Sequence, residues 1–183
     1  CTVLRRVKID PVMTGPQELA VHTLQSQMIN QLHIVPKSKF WEKDGMSPNM
    51  FTDSLAGMVI AEHKGADPSE VTSLTVWLRG DRAAWADQVD TDYAIRKVIE
   101  DLERLRPAAK GQLEVMGYKS WYRDPFSSGD WAIFAPGQVT AFANDIANPH
   151  GRLHFCGEHT ARLNRGMEGA MEFGERAAID VLE

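Results

Sequence analysis

The chain has 183 residues, 43% of them hydrophobic, which is enough for one domain or two small ones. A net charge of -5 and a pI near 5.7, with basic residues interspersed among acidic ones, argue against a nucleic-acid or anionic-membrane partner. With two cysteines and no apolar run of about 20 residues, a zinc site, a disulfide framework and a membrane-spanning helix are disfavoured, so we expect a cytoplasmic protein without a metal.

The N-terminal segment predicts a strand, a helix and a second strand. Residues 1–4 have a sequence typical of a strand, and because no initiator methionine precedes them we expect a processed chain whose upstream partner is missing. Thr14 provides a cap and Pro16 a first-turn proline for a helix over residues 16–27. Residues 29–35 are rich in β-forming side chains, which indicates a strand ahead of a turn-rich loop.

Three strands and one amphipathic helix are predicted in the middle of the chain. The apolar runs 57–61 and 74–78 are separated by a polar stretch, as neighbouring strands of a sheet are. From Asp92 the apolar residues recur at helical spacing, and Pro107 ends the pattern. Residues 113–123 then return to strand character.

Residues 125–137 combine several glycines and prolines with aromatic side chains. The aromatic residues are Phe126, Trp131 and Phe134. A loop that its aromatics anchor in a hydrophobic core has this composition, and so does a loop that lines a ligand. Composition leaves both interpretations open.

The last thirty residues predict a strand, a turn and a closing helix. Residues 153–156 are typical of a buried strand, and Gly157 and Glu158 follow at its carboxyl end, where ligands bind in open α/β sheets. Gly157 allows a close backbone approach, and Glu158 can accept a hydrogen bond from a sugar-like hydroxyl. A helix that starts at Gly166 offers unpaired N–H groups to an electron-rich ligand. An ordinary strand-loop-helix ending has the same pattern.

Three blocks of the C-terminal segment carry a resemblance to a known family. They are LHFCGEHT at 153–160, MEGA at 167–170 and GERAA at 174–178. In this order they closely resemble the C-terminal flavin signature of the monoamine oxidase superfamily, which includes monoamine, polyamine and L-amino-acid oxidases. The resemblance extends over essentially the whole chain. No Gly-x-Gly-x-x-Gly motif is present, so the adenosine and pyrophosphate site would lie on an upstream fragment or subunit.

The resemblance implies an α/β protein with an α+β substrate part. The chain would be the C-terminal segment of a two-domain FAD-binding, Rossmann-like fold with a mixed-sheet substrate domain, incomplete without the upstream chain and part of an oligomer. Residues 1–10 would form a strand returning to the FAD domain, residues 11–120 a portion of the substrate-binding domain, and residues 121–183 the C-terminal part of the FAD domain.

The same resemblance implies a set of FAD-binding residues. Glu158 would bind the ribityl chain, and the backbone of Met167 would face the pyrimidine edge of the flavin. The aromatic side chains expected to line the ring and the substrate are Trp121, Phe126 and Trp131. The other expected cofactor-binding positions are Gly129, Asp130, Gly157, Gly166 and Ala170.

Two departures from the family concern the flavin and the substrate cage. Asp130 aligns with the cysteine that binds flavin covalently in some members, and because a carboxylate cannot form that thioether we expect noncovalent FAD. Trp131 aligns with one of the paired aromatics that enclose the amine in monoamine oxidases, and Gly166 with the other. Half of the cage is therefore missing.

A third departure is Gln31, which completes the expected catalytic set with Trp131 and Gly166. The family usually places a lysine directly after the position that matches Asn30, where it anchors a water near flavin N5. Glutamine can hold a water but carries no charge. An ordinary polar strand residue is the competing interpretation of Gln31.

The resemblance implies oxidation of a C–N bond of an L-amino acid or amine. Hydride would pass to flavin N5, water would hydrolyse the imine, and oxygen would be reduced to hydrogen peroxide. Gln31 keeps open a flavin amine dehydrogenase with an acceptor other than oxygen, and Gln31 with Gly166 keeps open a degenerate, non-catalytic binding subunit.

Overall fold

The structure, a computed structural model, describes residues 2–163 and 165–182. The chain divides into two compact units: unit 1 combines Cys1–Gln27 with Pro125–Glu183, and unit 2 is Met28–Asp124. The family resemblance predicted divisions after residues 10 and 120, and the FAD-binding and substrate-binding roles of the two parts stay predictions. Among the described residues, no helix is long and apolar enough to cross a membrane.

We number the elements of the described residues in chain order. The helices are α1 (Gly15–Thr23), α2 (Phe40–Asp44), α3 (Asp81–Gln88), α4 (Thr91–Leu105), α5 (Gln138–Phe142) and α6 (Met167–Leu182). The strands are β1 (Gln25–Ser26), β2 (Ile29–Pro36), β3 (Met50–Phe51), β4 (Met58–Glu62), β5 (Ser73–Arg79), β6 (Leu113–Ser120) and β7 (Ala132–Ile133). Short 3-10 helices occupy Thr2–Arg6, Pro107–Ala109 and Glu158–Thr160.

Unit 2 is built on a five-stranded sheet in the order β3-β4-β5-β2-β6. Every pair of neighbouring strands in it is antiparallel. The mixed sheet that the resemblance implied is therefore not found in the described residues. The strands predicted from the sequence are confirmed as β2, β4, β5 and β6. β4 alternates strictly between buried and partly exposed residues, β5 buries three consecutive residues, and every residue of β6 is at least partly exposed.

One face of this sheet forms the hydrophobic core of unit 2 with α3 and α4. Leu32 of β2 and Val76 of β5 pack in one cluster with Val98 of α4, and all three are completely buried. The predicted amphipathic helix is confirmed as α4, whose first turn is capped because the Asp90 carboxylate accepts a hydrogen bond of 3.0 Å from the backbone N–H of Tyr93.

Unit 1 has a smaller core. Ala20 and Leu24 pack with Phe142 and Ile146, and the four side chains are almost completely buried. The predicted closing helix is confirmed as α6. Only two of its described residues, Gly169 and Ala177, are buried. Several large apolar side chains of α6 are exposed, namely Met167, Met171, Ile179, Val181 and Leu182.

Several predicted elements in unit 1 are corrected. Thr2–Arg6 is a 3-10 helix, whereas a strand was expected there. Helix α1 ends at Thr23, four residues earlier than expected, because Leu24 turns to extended backbone, and Thr14 makes no side-chain capping bond. Residues 153–156 do not form a buried strand: Leu153 makes an isolated bridge to His150 and is exposed. A strand needs a neighbour for its backbone groups, and the described residues offer this segment none beyond that bridge.

Candidate functional site

The turn at Gly157 and Glu158 presents an incompletely paired carboxylate. Glu158 begins a 3-10 helix, and its Oε1 accepts a hydrogen bond of 2.7 Å from the backbone N–H of Ala132. Its other oxygen, Oε2, is buried and has no hydrogen-bond partner in the part of the chain that the structure describes. A buried carboxylate oxygen without a donor is costly, so Glu158 fits a ligand that donates through a hydroxyl group.

Gly157 is required by the shape of this turn. Its φ is +122°, and a Cβ added there would lie 3.0 Å from the ring of His159. The carbonyl oxygen of Gly157 accepts from both the hydroxyl and the N–H of Thr160, at 2.7 and 3.0 Å, so the turn is held from within. Any other residue at 157 would strain the backbone and displace His159.

His159 is held uncharged beside Glu158 along the chain. Burial, with a smaller contribution from the positive charge of Arg165, lowers the pKa of His159 from 6.5 to about 4. The Arg165 guanidinium lies 4.6 Å from the centre of the Phe134 ring. With His159 neutral near neutral pH, the turn carries no imidazolium charge, and the Glu158 carboxylate remains a hydrogen-bond acceptor there.

The expected ring-lining segment is anchored through its backbone to β1 and the residue after it. The N–H of Gln27 donates to the carbonyl of Trp131 at 2.8 Å, and the N–H of Asp130 donates to the carbonyl of Gln27 at 2.9 Å. Gly129 has φ of +124°, and a Cβ there would lie 2.6 Å from the Cβ of Ser26. Gly129 therefore has a packing requirement of its own, whatever it does for a ligand.

The aromatic residues of this segment divide between the two interpretations that composition left open. Phe134 packs against Phe142, with ring centres 5.7 Å apart, and belongs to the core of unit 1. Phe126 and Trp131 are exposed, by 86% and 39%. The core interpretation therefore holds for Phe134, whereas Phe126 and Trp131 are accessible to a ligand.

The start of α6 is accessible as well. Gly166 has φ of +90°, and its carbonyl accepts a hydrogen bond of 3.0 Å from the N–H of Ala170. Met167, the first residue of the helix, is exposed. The N–H groups of a first helical turn lack partners within the helix, so this end suits an electron-rich group.

Gln31 and Trp121 both lie in unit 2 and contact each other. The indole N–H of Trp121 donates a hydrogen bond of 2.8 Å to Oε1 of Gln31. The preceding residue of β2, Asn30, is completely buried, and its side-chain NH₂ donates to the hydroxyl of Tyr118 at 2.7 Å and to Asp87 at 3.1 Å. Because successive side chains of a strand point to opposite faces, the buried Asn30 turns Gln31 away from the core.

The structure thus brings some of the expected residues into two groups, and these include neither Phe126 nor the start of α6. In unit 1, Ala132 connects the segment of Gly129, Asp130 and Trp131 to Glu158 of the Gly157 turn. In unit 2, Gln31 is paired with Trp121. Sequence reasoning missed Ala132, because its contribution is a backbone N–H, and it missed the pairing of Gln31 with Trp121, because ninety positions separate them.

The similarity of this chain to known proteins covers nearly all of its residues. Residues 2–182 match the family described as flavin containing amine oxidoreductase. The L-amino-acid oxidases of Naja atra and Notechis scutatus scutatus are each 26% identical over 97% of the chain, which spans 36% and 35% of their lengths.

Two solved structures have the same fold. Putrescine oxidase bound to putrescine has a TM-score of 0.82 at 21% identity, covering 99% of this chain and 41% of its own. Cyclohexylamine oxidase from Brevibacterium oxydans IH-35A has a TM-score of 0.80 at 17% identity, covering 98% of this chain and 41% of its own. Because the family model matches residues 2–182, the chain belongs to the flavin containing amine oxidoreductase family.

Proposed function

We propose that this chain supplies the C-terminal part of a noncovalent FAD site in an enzyme that oxidises a C–N bond of an L-amino acid or an amine. The observation that carries the proposal is the half-paired carboxylate of Glu158. Its Oε2 lacks a donor that a ribityl or ribose hydroxyl of FAD would supply. Membership of a flavin family supports the same cofactor.

The chain's own residues would bind and orient the cofactor. When bound, FAD supplies hydride acceptance at N5 and electron transfer to oxygen, with hydrogen peroxide and, after hydrolysis of the imine, the carbonyl product released. Glu158 would accept from the ribityl chain. The N–H groups at Met167 would face the pyrimidine edge, where a helix N-terminus stabilises negative charge by up to about 2 kcal/mol in partly buried geometry. Gly169 is buried in the same turn, and because it has no side chain, other groups can approach this end of α6 closely.

We propose noncovalent attachment because, by the family resemblance, Asp130 stands where some relatives have a cysteine that forms a thioether with the flavin. Acid precipitation of the native protein that contains this chain tests this directly. We expect the flavin in the supernatant and a colourless pellet. A yellow pellet would contradict noncovalent binding.

The substrate is proposed from the relatives and from the exposed aromatic residue. Similar proteins are L-amino-acid oxidases, and solved structures of the same fold are oxidases of putrescine and cyclohexylamine. Trp131 offers an exposed aromatic surface, and Gly166 adds no side chain, so a substrate with a bulky side chain would fit. A screen for peroxide release against common L-amino acids and amines, with the native protein, identifies the substrate class.

We further propose an upstream segment or subunit that carries the dinucleotide-binding motif. The chain spans about a third of the length of the relatives that it matches. The exposed apolar side chains of α6 are a surface that such a segment would cover. Intact mass measurement of the native protein would reveal the segment as additional mass, either in one chain or in a second subunit.

Gln31 favours a second candidate, a flavin amine dehydrogenase whose acceptor is not oxygen. Gln31 itself carries no charge at the position where the family usually has a lysine, and its Oε1 is paired with the neutral indole N–H of Trp121. Anaerobic bleaching by substrate followed by slow recovery of colour in air would identify the dehydrogenase. A yellow protein that no amine or amino acid bleaches would instead indicate a non-catalytic binding subunit, and a colourless native protein would contradict every flavin-based proposal.

A further inference from the structure

We propose that Trp121 is a positioning residue that turns Gln31 into an oriented, uncharged hydrogen-bond donor. The proposal rests on the proposed function and on the family resemblance, by which position 31 matches a residue that anchors a water near flavin N5. Beyond that function, Gln31 presents its side-chain NH₂ group as a donor, and Trp121 orients it.

The chemistry of the two groups determines the orientation of the amide. An indole N–H can only donate, so the Gln31 atom 2.8 Å away must be the carbonyl oxygen. This contact removes the usual ambiguity between the oxygen and nitrogen of a glutamine side chain. With Oε1 occupied by Trp121, the NH₂ group of Gln31 points away from the indole and can only donate.

The Trp121 ring is itself held in position. The Lys119 ammonium lies 5.1 Å from the centre of the ring, and Asp124 accepts a hydrogen bond of 2.7 Å from that ammonium. Lys119 of β6 pairs with Gln31 of β2, so the ammonium and the amide belong to neighbouring strands. The backbone N–H of Trp121 also donates to the carbonyl of Ile29 at 3.1 Å.

This arrangement preserves the donor character of a lysine without its charge. A lysine ammonium can only donate, whereas an unrestrained glutamine can rotate its amide and present either the oxygen or the NH₂ group. The Trp121 N–H stabilises one of these two states. Gln31 therefore offers a donor whose hydrogen-bonding role does not titrate.

A spectroscopic experiment tests the hydrogen bond without relying on catalysis. Native protein would be labelled with ¹⁵N at the tryptophan indoles, and the Trp121 resonance would be assigned by its absence in Trp121→Phe. We expect Gln31→Met to move that resonance and speed its solvent exchange, and Gln31→Glu to leave its exchange rate unchanged. An indole resonance unaffected by Gln31→Met would overturn the proposal.

A kinetic experiment separates donor positioning from a structural contact. Gln31→Glu keeps an acceptor for Trp121 but has no donor, so we expect kcat to fall about tenfold or more. Trp121→Phe removes the orienting N–H and should lower kcat about three- to tenfold with little change in KM. If the contact is merely structural, Gln31→Glu will retain the wild-type kcat, and the positioning role is then wrong.

The matched control is Gln112→Glu, the same exchange at a glutamine whose Oε1 also accepts a hydrogen bond, from Ser38 at 2.8 Å. We expect unchanged kcat and flavin content in this variant. If native protein binds flavin and is bleached by substrate while both Gln31→Glu and Trp121→Phe behave as wild type, the inference about Trp121 fails and the proposed function stands. A native protein without flavin would overturn both, and the indole spectrum would then report the hydrogen bond alone.

Discussion

Unit 2 has the larger buried apolar core, whereas unit 1 leaves much of its longest helix uncovered. The sheet of unit 2 and its helices share one core of fifteen buried residues. The core cluster of unit 1 has four, and α6 exposes Met171 by 71% and Leu182 by 86%. Since burial of apolar surface is the main stabilising contribution to folding, the larger core of unit 2 contributes more to stability than the core of unit 1.

The largest effect that we expect is in the core of unit 2. Leu32→Ala removes a completely buried side chain from β2 and should lower the free energy of unfolding of unit 2 by about 2–5 kcal/mol. Chemical denaturation of the native protein measures this loss. The control is Met116→Ala on β6, where the side chain is 64% exposed and a change within about 0.5 kcal/mol is expected. Equal effects of the two substitutions would contradict the described core.

The second prediction concerns acid sensitivity and separates the two units. The folded-state pKa of His159 is lowered from 6.5 to about 4, so the unfolded chain binds the proton more tightly. The stability that a neutral His159 allows is present above pH 6.5 and is lost as pH falls towards 4, by at most about 1.4 kcal/mol for each pH unit. Unit 1 should therefore weaken in that range. His159→Gln should flatten the pH dependence of unfolding, and an unchanged slope would count against a buried neutral imidazole.

In unit 2 the corresponding titratable group is Asp44, which affects the stability of the unit at lower pH. The hydrogen bond from Arg106 holds the pKa of Asp44 below its ordinary value of 3.8. A lowered carboxylate pKa contributes stability above the unfolded value, and this contribution is lost only as pH falls below about 4. Comparison of hydrogen exchange in the two units between pH 6.5 and 4 would show the loss in unit 1 first.

The third prediction tests the half-paired carboxylate of unit 1. Glu158→Gln keeps an oxygen for the N–H of Ala132 but removes the charge and the second acceptor. A hydrogen bond to a charged group contributes about 1.5–3 kcal/mol, so FAD affinity should fall about tenfold to a hundredfold. Flavin titration followed by fluorescence quenching measures the dissociation constant. Wild-type affinity in this variant would show that Glu158 does not contact the cofactor.

The smallest expected effect lies on the uncovered surface of α6. Met171→Gln should change the stability of this chain by less than about 0.5 kcal/mol, because the side chain is already 71% exposed. If the proposed upstream segment covers this surface, the same substitution will weaken its association, which sedimentation analysis of the native protein can measure. A strong loss of stability in the chain by itself would mean that Met171 packs within unit 1.

Much of unit 2 could be predicted from sequence, because its pattern is local. The apolar runs and β-forming residues of β2, β4, β5 and β6 and the helical spacing of α4 are each recognisable within a short stretch of sequence. The short helices α2, α3 and α5 were missed. Their length leaves too few turns for a periodic pattern to emerge.

The candidate site was less predictable, because its chemistry depends on backbone groups and distant partners. Residue types and the family resemblance suggested Glu158, but only the fold shows that Ala132 occupies one of its oxygens and leaves the other buried without a donor among the described residues. Gly129 was expected to contact the cofactor, yet its packing against Ser26 is sufficient reason for a glycine there. Whether packing or a cofactor contact requires glycine at position 129 depends on whether a ligand contacts this residue.

By itself, the sequence determined the family and the main elements. Three ordered blocks in 153–178 carry the family resemblance, and apolar runs, β-forming residues and helical spacing predict the main strands and helices. Only the tertiary structure decided that 153–156 is not a strand, that 2–6 is a 3-10 helix, and that Gln31 accepts from Trp121. Backbone pairing and hydrogen bonds between distant residues require a partner brought near by folding, and local sequence does not specify where that partner will be.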